Sequence, residues 1–346
     1  MSDKRYLGNI ITSTPTAPTD NFETTSAPGV WSIGEAFTYA KAGLWPTAGN
    51  AAPKALFMGG EFGGGTRTNT VDSVDITTLG NATDFGDLLE ISAFGAGVSS
   101  STRGINYGGG QNGSDTIQYF TIATAGNATD FGNATQTVVA NAGISNQTRG
   151  ISACQSTTNR IEFITIASTG NATTFGNDLL LYRNQVAGAS SPTRGLIAGG
   201  IGQSQYKNEI AFITIATTGN ATDFGDLAQA RQDLAGMSTN ERAVFYAGYR
   251  GSYVRTLDYV TIASTGNAVT FGDATNNYAS YGGTAGNTRG VAAGGSKATT
   301  GESPLSTNII EYITIPTAGT ALDFGDLTLS RTRVAACSNS HGGLTA

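Results

Sequence analysis

One twenty-residue stretch, written six times, constrains this chain more than anything else in it. The fullest copy reads NEIAFITIATTGNATDFGDL, residues 208–227. Its second phenylalanine returns as Phe85, Phe131, Phe175, Phe224, Phe271 and Phe324, at intervals of 46, 44, 49, 47 and 53 residues. A period in the forties means that each copy is a supersecondary unit that must bury its faces against its neighbours. Within the copy, IAFITIAT carries apolar or β-branched residues on both alternating faces, which predicts a strand covered on both sides. TTGNA predicts a turn with Gly219 at positive φ, and TDFGDL predicts a second short strand.

Two further strands flank this hairpin. RGLIAGG (194–200) precedes it and RQDLAGMS (231–238) follows it, so a unit reads as four short antiparallel strands in the order RQDLAGMS, RGLIAGG, EIAFITIA, ATDFGDL. Composition agrees: charged residues make up 13% of the chain, and its 48 glycines are about twice the usual share. That mixture suits tight turns and short strands and offers little to long helices. The ends of the array are complementary. The last copy closes with TLSRTRVAACSNSHGG (328–343), a first strand with no unit after it, while the first copy opens with APKALFMGG (52–60), a second strand with none before it. The C-terminal strand is therefore expected beside the N-terminal ones, removing the open edges of a linear array.

The pattern is similar to a kelch repeat: Gly199 and Gly200 match its double glycine, Phe212 and Phe224 its two aromatic positions, and Arg231 its later arginine. Cys154 and Gln155 replace the glycine pair in the third copy, and Ala247 precedes Gly248 in the fifth. The resemblance implies an all-β fold over residues 53–346, a six-bladed kelch-like β-propeller closed by the C-terminal strand. It implies no particular function, because such folds serve many.

Residues 1–52 stand apart as an expected docking arm. ITSTPTAPTDNFETTSAPG is rich in Pro, Thr and Ser and is expected to be extended, followed by one short helix near 32–43. Ser32 and Glu35 have capping-box spacing there, and Gly43 and Pro46 form a stop. Trp31, Phe37, Tyr39, Leu44 and Trp45 load the segment with side chains of the kind that anchor interfaces. TSAPGVWSIGEAFTYAKAGLWPTAGN (25–50) looks like a segment of bacteriophage tail and structural proteins, and the repeats resemble those of virion proteins. The resemblance implies a virion component without saying which; the expected function is non-enzymatic, tail or tail-fibre associated, with the arm meeting other virion structural proteins. A place on the capsid as a decoration protein is the alternative within that class, and a polysaccharide-degrading propeller enzyme the alternative outside it.

Two sets of side chains are candidates for recognition. A basic residue recurs between the first and second strands: Lys54, Arg103, Arg149, Arg194, Arg242 and Arg289. Such a ring either collars an anionic glycan or bonds carbonyls and acids of its own and adjacent units; spacing tied to the repeat favours the second. On the opposite face, the variable connections between second and third strands concentrate Tyr206, Lys207, Tyr249, Arg250, Tyr253 and Arg255 on the fourth and fifth units, a mixture suited to sugars or protein. Multiple copies on one particle would add weak contacts by avidity.

The sequence argues against several chemistries. A net charge of −6 disfavours nucleic acid as a partner, and no apolar run is long enough for membrane insertion. One histidine, His341, and two distant cysteines, Cys154 and Cys337, predict neither a metal centre nor a cofactor. Asn81, Asn127, Asn171 and Asn220 sit in GNAT sequons, yet the fifth and sixth copies keep the turn as GNAV and GTAL, so turn chemistry explains all six. Asp223 and Asp226 of TDFGD lack the acidic ladder of a calcium loop.

Overall fold

The computed structural model describes residues 52–344, apart from 63–64, 111–112, 140–141, 154–157, 179–181 and 298–304. The expected docking arm, its helix and its five aromatic and apolar anchors lie outside the described residues, as do Cys154 and Gln155. The fold is all-β, with no helix among the described residues.

Each repeat contributes the same antiparallel order. The first sheet runs Ala335–Ser338, Lys54–Met58, Thr68–Asp75, Thr83–Ser92; the second Ala96–Ser99, Arg103–Tyr107, Ser114–Thr121, Thr129–Val138; the third Ala142–Ser145, Arg149–Ala153, Arg160–Thr165, Thr173–Asn177; the fourth Ala187–Ser190, Arg194–Ala198, Glu209–Thr214, Thr222–Asp226. A nine-stranded sheet holds the order twice more, as Ala235–Ser238, Arg242–Tyr249, Tyr253–Thr261, Val269–Ala279 and as Gly282–Ala285, Arg289–Ala293, Leu305–Thr314, Leu322–Arg331. The two-residue strand Ser296–Lys297 bridges Val269–Ala279 to Leu305–Thr314. An eight-strand path through this sheet ends on Ala235–Ser238 and Gly282–Ala285, which touch, so the path nearly closes like a barrel.

The C-terminal strand takes the place predicted for it: Leu56 pairs with Cys337 and Phe57 with Ala336. The strand itself is shorter than expected. In the fifth repeat the matching strand begins at Ala235, so Asp233, expected within it, lies in the turn before it at φ 55°. Third strands begin earlier than predicted, because fourth strands of ten or eleven residues in four repeats pair back along them through a register shift.

The six four-residue strands touch in sequence, and Ala335–Ser338 lies against both Gly282–Ala285 and Ala96–Ser99, so the series returns to its start. Six apolar clusters fill the junctions, each drawing on two successive repeats; the cluster of Ala55, Phe57, Val291, Phe324 and Val334 joins the sixth repeat to the first. The marker phenylalanines sit in these clusters, Phe224 only 2% exposed. Truncating one to Ala would cost about 3–5 kcal/mol.

The turns interlock at the same junctions. The glycine demand falls on the DFG glycine rather than on Gly219, whose surroundings are open and whose backbone lies outside the left-handed range. A Cβ on Gly225 (φ 144°) would stand 2.4 Å from the Gly266 carbonyl oxygen of the next repeat, and one on Gly325 would meet the Gly80 carbonyl oxygen at 2.4 Å, sixth repeat against first. Beside each contact the turn asparagine accepts a backbone bond from the preceding repeat: Asp87 N–H donates to Asn127 Oδ1 at 3.1 Å, and Asp326 N–H to Asn81 Oδ1 at 3.1 Å. The GNAT turn is thus a clasp between units.

Buried polar locks complete the junctions, and their chemistry is complementary. Where the second strand ends in Ala (Ala198, Ala293), an arginine from the end of the fourth strand or just beyond fills the space. Arg231 Nη1 bonds Asp258 Oδ2 at 2.8 Å and Arg331 Nη2 bonds Asp72 Oδ2 at 2.9 Å, both across a junction with side chains fully buried. Where Tyr stands at that place (Tyr107, Tyr246), Val138 or Tyr278 replaces the arginine and the acid is Glu: Tyr107 donates to Glu162 at 2.8 Å, Tyr246 to Glu311. In the third repeat, whose second strand ends at Ala153, Arg183 pairs with Asp178 of its own repeat and donates to the carbonyls of Ile197, Gly199 and Glu209 in the next. The longer cation meets the shorter carboxylate, and the fixed phenol meets the longer one.

Candidate functional site

The repeat-spaced cations open the second strands. Arg103, Arg149, Arg194, Arg242 and Arg289 each lay the guanidinium over an aromatic ring of their own repeat at 4.6–4.9 Å. Each also donates to a carbonyl of the next repeat: Arg103 to Ile166, Arg149 to Ile215, Arg194 to Ile262, Arg242 to Pro316, Arg289 to Ile76. Lys54 departs from the set together with its ring: Ser73 stands where Tyr119 does in the second repeat, and the Lys54 ammonium lies 5.5 Å from Phe85 instead. These contacts use one planar face and the Nη1 donor of each guanidinium.

At the other end of the short strands, a non-glycine residue with left-handed backbone stands two positions before five of the six: Phe94, Gln185, Asp233, Ser280 and Arg333, with φ between 54° and 63°. Each costs about 1–2 kcal/mol of local strain. A head-to-tail chain of backbone bonds offsets it: Asp233 N–H to the Gln185 carbonyl, Ser280 to Asp233, Arg333 to Ser280, Phe94 to Arg333, at 2.8–3.1 Å. The sequence reading missed this mouth.

The five residues line one depression with Tyr281. Arg333 lies over the Phe94 ring at 4.2 Å and pairs with Glu61, which Arg67 also approaches at 3.7 Å. Gln232 Nε2 donates to Asp233 Oδ2 at 3.0 Å. Burial pushes the Asp233 carboxyl above the ordinary range, against the opposing pull of the Arg333 charge.

Beside this mouth the structure gathers the tyrosines singled out from the sequence. Tyr206 and Tyr249 meet edge to face at 6.1 Å, and Tyr249 and Tyr253 at 5.3 Å. Tyr249 and Tyr253 stand on strand ends rather than in a long loop; only Arg250, Gly251 and Ser252 connect them. Gln232 and Tyr249 exchange backbone bonds at 3.0 and 2.8 Å, which tie the row to the mouth. Burial first, then the Asp233 charge, raises the Tyr253 phenol above its usual range. Arg250 Nη1 donates to Gln229 Oε1 at 2.7 Å, and the Lys207 backbone bonds Gly200 and Arg231. Arg255 is brought to Asp273 on the neighbouring strand, at 3.5 Å.

The far end of the short strands is closed. Serines end five of the six, and their hydroxyls stitch around: Ser99 to the Ser338 carbonyl, Ser338 to Ala285, Ser190 to Ser145, Ser238 to Ser190. Residues 339–344 cross this end. Gly342 N–H donates to the Ser238 carbonyl, the one left open by Ala285, and His341 Nε2 lies 3.1 Å from Ser145 Oγ. Burial holds the His341 imidazole down at about 4 and pushes the Cys337 thiol up to about 12.

The arrangement offers a rigid aromatic row, two cations and a polar depression on one face, and a sealed end on the other. No family model matches the chain, and no curated protein matches it.

Proposed function

We propose that residues 53–346 form a six-bladed, kelch-like β-propeller, and that the chain is a non-enzymatic bacteriophage virion component of the tail or its fibres. In this reading residues 1–52 dock it to other virion structural proteins, and the tyrosine-bearing face meets a host-surface glycan. The return of the short strands to their start and the repeat of one clasp at successive junctions support the propeller. The tyrosine row carries the recognition reading: three rings fixed by strands lose little entropy on binding, and aromatic faces next to polar donors suit sugar rings. Resemblance of residues 25–50 to phage structural proteins supports the virion setting.

Mass spectrometry of purified particles tests the placement, together with particles carrying a chain that lacks residues 1–50. The expected result is a folded repeat body that no longer incorporates. Incorporation without the arm, or absence of the protein from particles, overturns the reading.

A further inference from the structure

Two cations beside the tyrosine row have no ion-pair partner among the described residues. The ion pairs among the described residues engage Arg67, Arg183, Arg231, Arg255, Arg331 and Arg333. The repeat-spaced arginines are engaged by carbonyls and rings. Lys207 and Arg250 belong to neither set: Arg250 is exposed and touches the neutral Gln229, and Lys207 adjoins Tyr206. Of the nearby carboxylates, Asp233 is engaged by Gln232 and lies under the Arg333 charge, and Glu209 is half-buried opposite Asp226. Two cations in none of these ion pairs therefore border three aromatic faces on a chain whose net charge is −6.

We infer that this face is a subsite for an acidic saccharide, a hexuronate residue whose ring packs on Tyr249 and Tyr253 and whose carboxylate meets Arg250, with Lys207 adding charge from the side. A guanidinium matches a planar carboxylate with two parallel donors, and the tyrosine faces take the apolar side of a pyranose. The inference rests on the glycan reading above and narrows it to one charge class.

Calorimetric titration of the full chain with galacturonate hexamer, and with a neutral maltohexaose control, tests it at two salt concentrations. Saturable binding of the uronate alone, weakening with salt, is expected. Arg250→Gln should weaken it roughly 10- to 100-fold, the loss of one charged hydrogen bond, and Lys207→Gln should reduce its salt dependence. Both side chains lie at the surface, and unchanged thermal unfolding of the variants confirms that the fold is intact. Equal binding of the neutral hexamer, or binding indifferent to Arg250, overturns the acidic subsite while leaving the glycan reading standing. Binding of neither oligomer overturns both.

Discussion

Arg331 and Asp72 meet at 2.9 Å with both side chains fully buried, and this ion pair joins the last repeat to the first. Arg331 also donates to the carbonyls of Thr70 and Phe57, so one side chain ties three points of the first sheet to the sixth.

Removing one partner of this pair strands the other. Arg331→Val should destabilise the fold by about 3–5 kcal/mol, read as a lower denaturation midpoint. The second repeat offers the remedy, since it uses Tyr107, Val138 and Glu162 at the corresponding places. Ala293→Tyr and Asp72→Glu added to Arg331→Val should recover most of the loss. A triple variant no more stable than the single one would refute the complementarity described for the junctions.

Two glycines six residues apart should respond oppositely to alanine. Gly225→Ala places a methyl 2.4 Å from a backbone oxygen at φ 144° and should cost about 2–4 kcal/mol. Gly219→Ala meets open space and should change stability by no more than about 0.5 kcal/mol. Thermal unfolding of the two variants decides it.

The contrast shows what was legible in the sequence and what was not. Periodicity and the complementary ends gave the strand order and the pairing of the C-terminal strand, because both follow from which residues must be buried. The role of Gly219 was misread, because a turn motif names a backbone preference without naming the neighbour that enforces it. The asparagines of GNAT were recognised as turn residues, but their bonds run to another repeat, 38 to 43 residues away in the internal junctions that keep them and 245 at the closure. The mouth escaped notice because Phe94, Gln185, Asp233, Ser280 and Arg333 share a conformation and no chemistry. Tyr206, Tyr249 and Tyr253 were singled out by composition, and only the structure brings the three rings together.

The clasp between the fifth and sixth repeats lacks its asparagine, since Thr320 occupies that place. Thr320→Asn should supply Asp273 N–H with the acceptor present at other junctions and add about 0.5–1.5 kcal/mol. Asn127→Ala should remove a similar amount. Denaturant titration of both variants measures the pair.

His341 makes stability depend on pH with a definite sign. Its folded pKa, about 4, lies below the ordinary value of 6.5, so below pH 6.5 the unfolded chain binds a proton that the folded chain does not. Stability should fall as pH drops from 6.5 toward 4, by on the order of 2–3 kcal/mol, and this contribution should vanish in His341→Asn. The difference between the two proteins across that window is the measurement; parallel profiles would remove His341 from the account.

Pairing of Lys54–Met58 with Ala335–Ser338 sets an order of events during synthesis. One hydrogen-bonding edge of the early strand must wait until residues 59 to 334 have been made, roughly 14–55 s at about 5–20 residues per second. Throughout that interval the nascent chain presents Leu56, Phe57 and Met58 on an unsatisfied edge, the kind of template on which chains aggregate. Yield on expression should therefore depend on how fast the ribosome delivers the last strand, and on what shields the first one meanwhile.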